Sequence, residues 1–179
     1  MVRYEMHAAQ PSPRLDGRAQ PLLPVLDWLT VIAAGHHDFA GPLIEALCRA
    51  APSLTWRQTY TLADIDADFL SNYGYTEIIG PAAPRYSQRL AAGFLLLGPR
   101  THYPRHRHEA EEIYVPLSGE AEWLQGDGVW RQRSPGSLIH HAGDEPHAMR
   151  TAAEPLLALY VWYGADLNGT ARLDDTYQP

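Results

Sequence analysis

The segment THYPRHRHEAEEIYVPLSG, residues 101–119, sets His106, His108 and Glu112 in the order His-x-His-x3-Glu-x6-Gly, and His147 follows in PGSLIHHAGDEPHAMRT. Side chains on an extended strand alternate with a period of two, so His106 and His108 project from the same face. In the next segment, EEIYVPL, Glu112 and Tyr114 share one face while Ile113, Val115 and Leu117 share the other. A carboxylate and a phenol therefore turn toward whatever the imidazoles face. Neutral imidazole is a good ligand for a divalent transition metal, and a carboxylate adds charge compensation. The pattern predicts a metal site of His106, His108, Glu112 and His147 on the inside of a barrel, for divalent Fe, Zn, Mn, Co or Ni. Six of the nine histidines fall between His102 and His147. His102, His140 and His141 have no place in that spacing, and His140 on the apolar SLIH strand is the best candidate to support a ligand from behind. His36 and His37, adjacent and so divergent in direction, read as turn residues.

The elements that must hold these groups are legible in outline. Residues 1–20 are polar and proline-rich without periodicity and read as a flexible arm. Val25, Trp28, Leu29 and Ile32 recur at helical spacing, as do Leu43, Ile44 and Leu47 before Pro52, which predicts two helices packed together, the second capped by Asp38. The stretch DIDADFLSNYGYTEIIG allows a short helix and then an irregular segment punctuated by Gly74 and Gly80. After Pro84 the texture is β: AAGFLLLG, EEIYVPL, EAEWLQ, VWRQ, SLIH and LLALYVWY, with hairpin or turn signals at Gly126-Asp127-Gly128, Ser118-Gly119 and Pro135-Gly136. The expected division is an arm over 1–20, a helical segment over 21–80 packed on the barrel, and a barrel with the metal site over 81–179. The fold class is mainly β, a single jelly-roll barrel with N-terminal α-helices, whose mouth is a natural ligand pocket.

Composition narrows the partners. A chain of 179 residues with 45% hydrophobic content can bury one core. Its net charge of −7 argues against nucleic acid and against an anionic membrane, leaving a small molecule as the expected partner. The single cysteine, Cys48, excludes an internal disulfide and a cysteine zinc cluster, and its helical context reads as a buried small thiol. The N-terminus has no apolar signal core and no run is long enough to span a membrane, so the expected location is cytoplasmic. A homodimer through the helices is open.

The His-x-His-x3-Glu-x6-Gly run with the later PG…H segment resembles the two motifs of the cupin superfamily, in which the positions of His106, His108, Glu112 and His147 are metal ligands. The second motif departs from the usual Pro-x-Gly-x-x-His-x3-Asn: one extra residue follows the glycine, and Thr151 replaces Asn. A narrower resemblance, from about Trp56 to Gly164, joins WRQTY, FLSNYGY, LLLGPRTHYPRHRHEAEEIYVPLSG, PGSLIHHAGDEPHAMRT and EPLLALYVWYG to the cupin-type dimethylsulfoniopropionate (DMSP) lyases. That resemblance implies cleavage of DMSP to dimethyl sulfide and acrylate with a divalent metal. It implies His108, Glu112 and His147 as ligands, Tyr114 as ligand or catalytic base, and Tyr103 as a second tyrosine in the pocket.

Elementary chemistry agrees. Eliminating a sulfonium requires removal of a weakly acidic proton next to a carboxylate, and a metal is an apt electrophile for the charge that develops. A phenol near a metal becomes a competent base. The dimethylsulfonium has no N–H, so aromatic faces are its natural partners, and Tyr160, Trp162 and Trp123 are candidates to line the pocket. Two other classes remain: another metal-dependent enzyme on the same scaffold, such as an iron dioxygenase, and a noncatalytic small-molecule-binding protein. The Tyr103 and Tyr114 pair favours proton abstraction over the first, and the lack of a basic helical DNA-binding domain weighs against the second.

Overall fold

The computed structural model describes residues 22–35, 37–164 and 166–174, so the arm expected over 1–20 lies outside the described residues, as does His36. A 3-10 turn at Pro24–Asp27 leads into α1 (Trp28–Ala34), and α2 (Gly41–Ala50) follows with a proline in its first turn, where a missing N–H is tolerated. The cap expected from Asp38 is not formed: the residue before α2 is Ala40, in the left-handed conformation at φ 56° and without a side-chain cap. His37 lies in the turn as expected, with its Nε2 2.6 Å from the Ile32 carbonyl at the end of α1.

Among the described residues twelve strands follow or interleave. They are β1 (Trp56–Arg57), β2 (Tyr73–Gly80), β3 (Arg85–Tyr86), β4 (Leu90–Leu97), β5 (His102–Arg107) and β6 (Glu111–Ser118). Then come β7 (Ala121–Gln125), β8 (Arg131–Arg133), β9 (Ile139–His141), β10 (His147–Thr151), β11 (Leu156–Tyr163) and β12 (Arg172–Leu173). One sheet runs β1-β2-β4-β11-β6-β9, with β3 parallel to β2, and the other runs β12-β5-β10-β7-β8. All other pairings are antiparallel. The mainly β fold with N-terminal helices is the one expected.

Both faces of the larger sheet are covered, which explains the apolar run FLLL in β4. Leu95 and Leu97 point between the sheets, toward Tyr114, Trp123, Met149 and Leu156. Phe94 and Leu96 point the other way, where Leu29 and Ile32 of α1 and Ile44 and Leu47 of α2 cover them. A strand buried on two sides needs no polar alternation. The helices thus pack on each other and on the outside of the barrel.

The sheet begins earlier than the expected boundary at residue 81. β1 and β2 belong to it, and β2 pairs with β4 from Tyr73↔Leu97 to Glu77↔Gly93. Its inward residues, Tyr73, Tyr75 and Glu77, give a period of two in aromatic and charged groups instead of aliphatic ones, which hides the strand. Gly74 is a packing position and not a turn: a Cβ there would meet Val25 Cγ1 at 3.0 Å, where the helical segment presses on the sheet. The short helix before it, α3 (Ala67–Ser71), is present, capped by Asp66, whose Oδ1 accepts from the Phe69 N–H at 2.8 Å. Among the described residues no helix is long and apolar enough to cross a membrane.

Leu96 joins the outer face of the sheet to the helices with no exposed surface. Leu96→Ala is expected to lower unfolding free energy by about 2–5 kcal/mol in chemical denaturation. The same truncation at Leu138, 75% exposed, is expected to change it by less than about 0.5 kcal/mol.

Candidate metal centre

Register places the site. Across the larger sheet, Ala91, Trp162, Glu112 and His141 are successive partners on β4, β11, β6 and β9. Directly opposed residues share a face, so Trp162 and His141 flank Glu112. The neighbouring row is Glu77, Gly93, Tyr160 and Tyr114. From the smaller sheet, β5 and β10 bring His106 opposite His147, and His108 follows β5 by one residue.

The rings are fixed by their backbones. Nδ1 of His106 lies 2.7 Å from the Pro104 carbonyl, Nδ1 of His108 2.9 Å from that of Ala110, and Nδ1 of His147 2.9 Å from that of Glu145. A carbonyl only accepts, so each Nδ1–H donates and each neutral ring is left with a lone pair on Nε2. Those of His108 and His147 converge on one oxygen, Glu112 Oε2, at 3.0 Å and 3.3 Å. The ligand atoms of His108, Glu112 and His147 all lie within 4.8 Å of one another, and each residue is buried. Among the described residues His147 Nε2 has no hydrogen-bond partner.

Three lone-pair atoms facing each other in a buried pocket repel unless a cation sits among them, and two imidazoles with a carboxylate are a fitting donor set for a divalent transition metal. The donor set fits a metal. The other oxygen of Glu112 is held by the Trp162 indole, whose Nε1–H donates to Oε1 at 2.6 Å. Burial pushes the Glu112 carboxyl up, and positive charge on the side that faces His108 and His147 outweighs it and holds the group well below the usual carboxylate range.

The expected residues fall into distinct positions. His106 is buried and its ring centre is 4.2 Å from that of His147, but it is not among the three whose ligand atoms converge. Tyr103 stacks on His106 at 3.8 Å and 9°, and its hydroxyl lies 3.2 Å from that of Tyr60. Burial, then neighbouring tyrosines, push the Tyr103 phenol up. Tyr114 is buried one register step from Glu112, and burial followed by the Glu112 charge pushes its phenol well up. Both tyrosines line a cavity of about 180 Å³ with His106, His108, Glu112 and Trp162. Trp162 stacks on His108 at 4.1 Å. Trp123 is 1% exposed, packed against Tyr114 in the inter-sheet core, and does not line that cavity.

His140 does not support a ligand. It is exposed and lies 3.3 Å from Glu111. The supporting residue is His141, fully buried and stacked on His147 at 4.0 Å and 16°. Burial, then His147, lower its pKa to about 3. In a short edge strand the choice between two adjacent histidines depends on register, and the pairing His141↔Glu112 decides it. Sequence reasoning also missed Tyr73, Tyr75 and Glu77, which line the cavity from β2; their alternation was the available signal.

The profile of the dimethylsulfoniopropionate lyase family matches residues 2–158. This chain belongs to the DMSP lyase family. The dimethylsulfoniopropionate lyase DddQ of Ruegeria pomeroyi is 38% identical over 120 residues, covering 67% of this chain and 60% of that protein. The chain therefore spans less than two thirds of that relative's length. The crystal structure of DMSP lyase DddQ from Ruegeria pomeroyi superposes with a TM-score of 0.82 at 30% identity, covering 96% of this chain and 85% of that one. A chain from the crystal structures of DMSP lyases RdDddP and RnDddQII gives a TM-score of 0.81 at 35% identity, covering 89% and 82%. The fold is that of the cupin-type DMSP lyases.

Because His141 presents a flat ring to His147, His141→Phe is expected to keep metal affinity within about threefold, while His141→Ala weakens it by about 10- to 100-fold. Competition against a chromophoric chelator measures both, and equal affinity in all three proteins would contradict a supporting role.

Proposed function

We propose that this protein cleaves DMSP by β-elimination into dimethyl sulfide and acrylate. The observation that carries the reading is the convergence of His108 Nε2, His147 Nε2 and Glu112 Oε2 behind a cavity wall that His108, Glu112 and Tyr114 line. Family membership and the likeness to lyases of known structure support it.

His108, Glu112 and His147 would hold the metal. A divalent ion held there would supply positive charge for the substrate carboxylate, for the negative charge developing at the neighbouring carbon, and for the phenolate of Tyr114.

The chain's own residues do the rest. Tyr114 Oη takes the proton from the carbon next to the carboxylate, and the electron pair of that C–H bond becomes the new C=C bond of acrylate. The C–S bond breaks with its pair going to sulfur, so the sulfonium leaves as neutral dimethyl sulfide. Trp162 fixes Glu112 through Oε1 and packs its ring on His108, holding both ligands at one geometry. Tyr103 keeps the His106 ring flat against the wall. Buried aromatic walls exclude water, which strengthens each charge interaction in the site.

Headspace gas chromatography of dimethyl sulfide tests the reading, using purified protein reconstituted separately with each candidate divalent metal. Tyr114→Phe is expected to lower kcat by about 10²- to 10⁴-fold while metal binding persists, and His108→Ala is expected to lose both metal and activity. Absence of dimethyl sulfide with every metal, from protein measured to bind metal, would contradict it.

A further inference from the structure

The cavity has a second charged wall that the elimination chemistry does not use. On β2, Tyr73, Tyr75 and Glu77 follow one another along the barrel-facing side, from the fully buried Tyr73 outward to the half-buried Glu77. All three line the cavity. Glu77, Gly93, Tyr160 and Tyr114 form one row across four strands, and Gly93 contributes no side chain between Glu77 and Tyr160. The rings of Tyr75 and Tyr160 meet edge-on at 6.4 Å and 73°, and those of Tyr160 and Trp162 at 6.3 Å and 64°. Two aromatic rings, Tyr75 and Tyr160, thus lead from the Glu77 side of the cavity to the indole that holds Glu112.

Glu77 keeps an open charge. It accepts one hydrogen bond, from the Ala82 N–H at 3.3 Å, and makes no ion pair among the described residues. Burial pushes its carboxyl up, and Arg57, which lines the same mouth, pulls it back. The Arg57 guanidinium points to the Ala82 carbonyl at 3.4 Å. The Glu77 charge is felt by both Tyr75 and Tyr160.

An onium group has a fixed positive charge and no polar hydrogen, so it is held only by ring faces and by an opposed negative charge. We propose that Glu77, with the rings of Tyr75 and Tyr160, is an onium subsite that sets the charge specificity of the cavity, recognising the cationic end of a short ω-onium carboxylate. The identity of the carboxylate end as the one near His108, Glu112 and His147 rests on the lyase reading above.

A pair of ligands matched in shape and differing only in charge tests this: 3-(trimethylammonio)propionate and 4,4-dimethylpentanoate. Binding of each to metal-loaded protein is measured by calorimetry. The wild type is expected to prefer the onium ligand by about tenfold or more. Glu77→Gln, whose amide oxygen still accepts from the Ala82 N–H, is expected to reduce that preference by about tenfold, with the affinity for 4,4-dimethylpentanoate and the Tm unchanged. Tyr75→Leu is expected to reduce the preference and Tyr75→Phe to keep it. No preference in the wild type, or a preference untouched by Glu77→Gln, overturns the proposal. Tighter binding of both ligands to Glu77→Gln also overturns it, because the carboxylate end would then lie beside Arg57. Loss of preference in Glu77→Gln without dimethyl sulfide release from DMSP by the wild type would remove the lyase reading and leave the subsite. Release of dimethyl sulfide with an unchanged preference would do the reverse.

Discussion

A carboxylate, Glu112, is 1% exposed between two sheets of largely apolar side chains. An ionised carboxylate in such surroundings is strongly unfavourable unless paired, and breaking its pairing is more costly than never having buried it. The chain meets part of this demand with an indole N–H on one oxygen and sets two imidazole nitrogens around the other. Because the backbone commits both Nδ1 atoms as donors, the neutral rings offer lone pairs and not protons. A cation would complete the arrangement. Most of what surrounds the site serves this one local requirement, from the Tyr103 and His141 stacks to the carbonyls of Pro104, Ala110 and Glu145.

The architecture supplies what the site needs because each layer is closed by another. α1 and α2 seal the outer face of the larger sheet, which frees its inner face to carry a row of Trp162, Glu112 and His141 beside a row of Glu77, Tyr160 and Tyr114. The smaller sheet brings His106 and His147 from β5 and β10 against that wall. Residues far apart in sequence thus meet through antiparallel register, and a slip of one residue in β6 would send Glu112 and Tyr114 to the helix-covered side. The long pairing of β6 with β11, from Tyr163↔Glu111 to Leu157↔Ser118, opposes such a slip.

How much was legible beforehand follows from how local each signal is. Glu112 and Tyr114 share one short period-two segment, and the His106 and His108 pair precedes it, so the wall they build was readable from spacing alone. The two N-terminal helices were readable from their apolar repeats. β2 was not, because its inward face carries Tyr73, Tyr75 and Glu77 where an aliphatic face would have announced a strand, and because Gly74 serves close packing under Val25. The part played by His141 depends on pairing with β6, a long-range fact that no window of sequence contains, and so His140 on the same strand drew the attention. The α2 start shows a smaller failure of the same kind: Asp38 is the right residue type for a cap, but Ala40 in a left-handed conformation opens the helix instead.

The requirement that a cation sit between His108, His147 and Glu112 is open to direct observation. Crystals equilibrated with a divalent transition metal, with diffraction data collected on both sides of its absorption edge, would locate it by anomalous scattering. A single strong peak bounded by His108 Nε2, His147 Nε2 and the Glu112 carboxylate, and lost in Glu112→Gln, is the result predicted. A pocket without a peak at saturating metal, or a peak held by other residues with these three side chains unmoved, would contradict it.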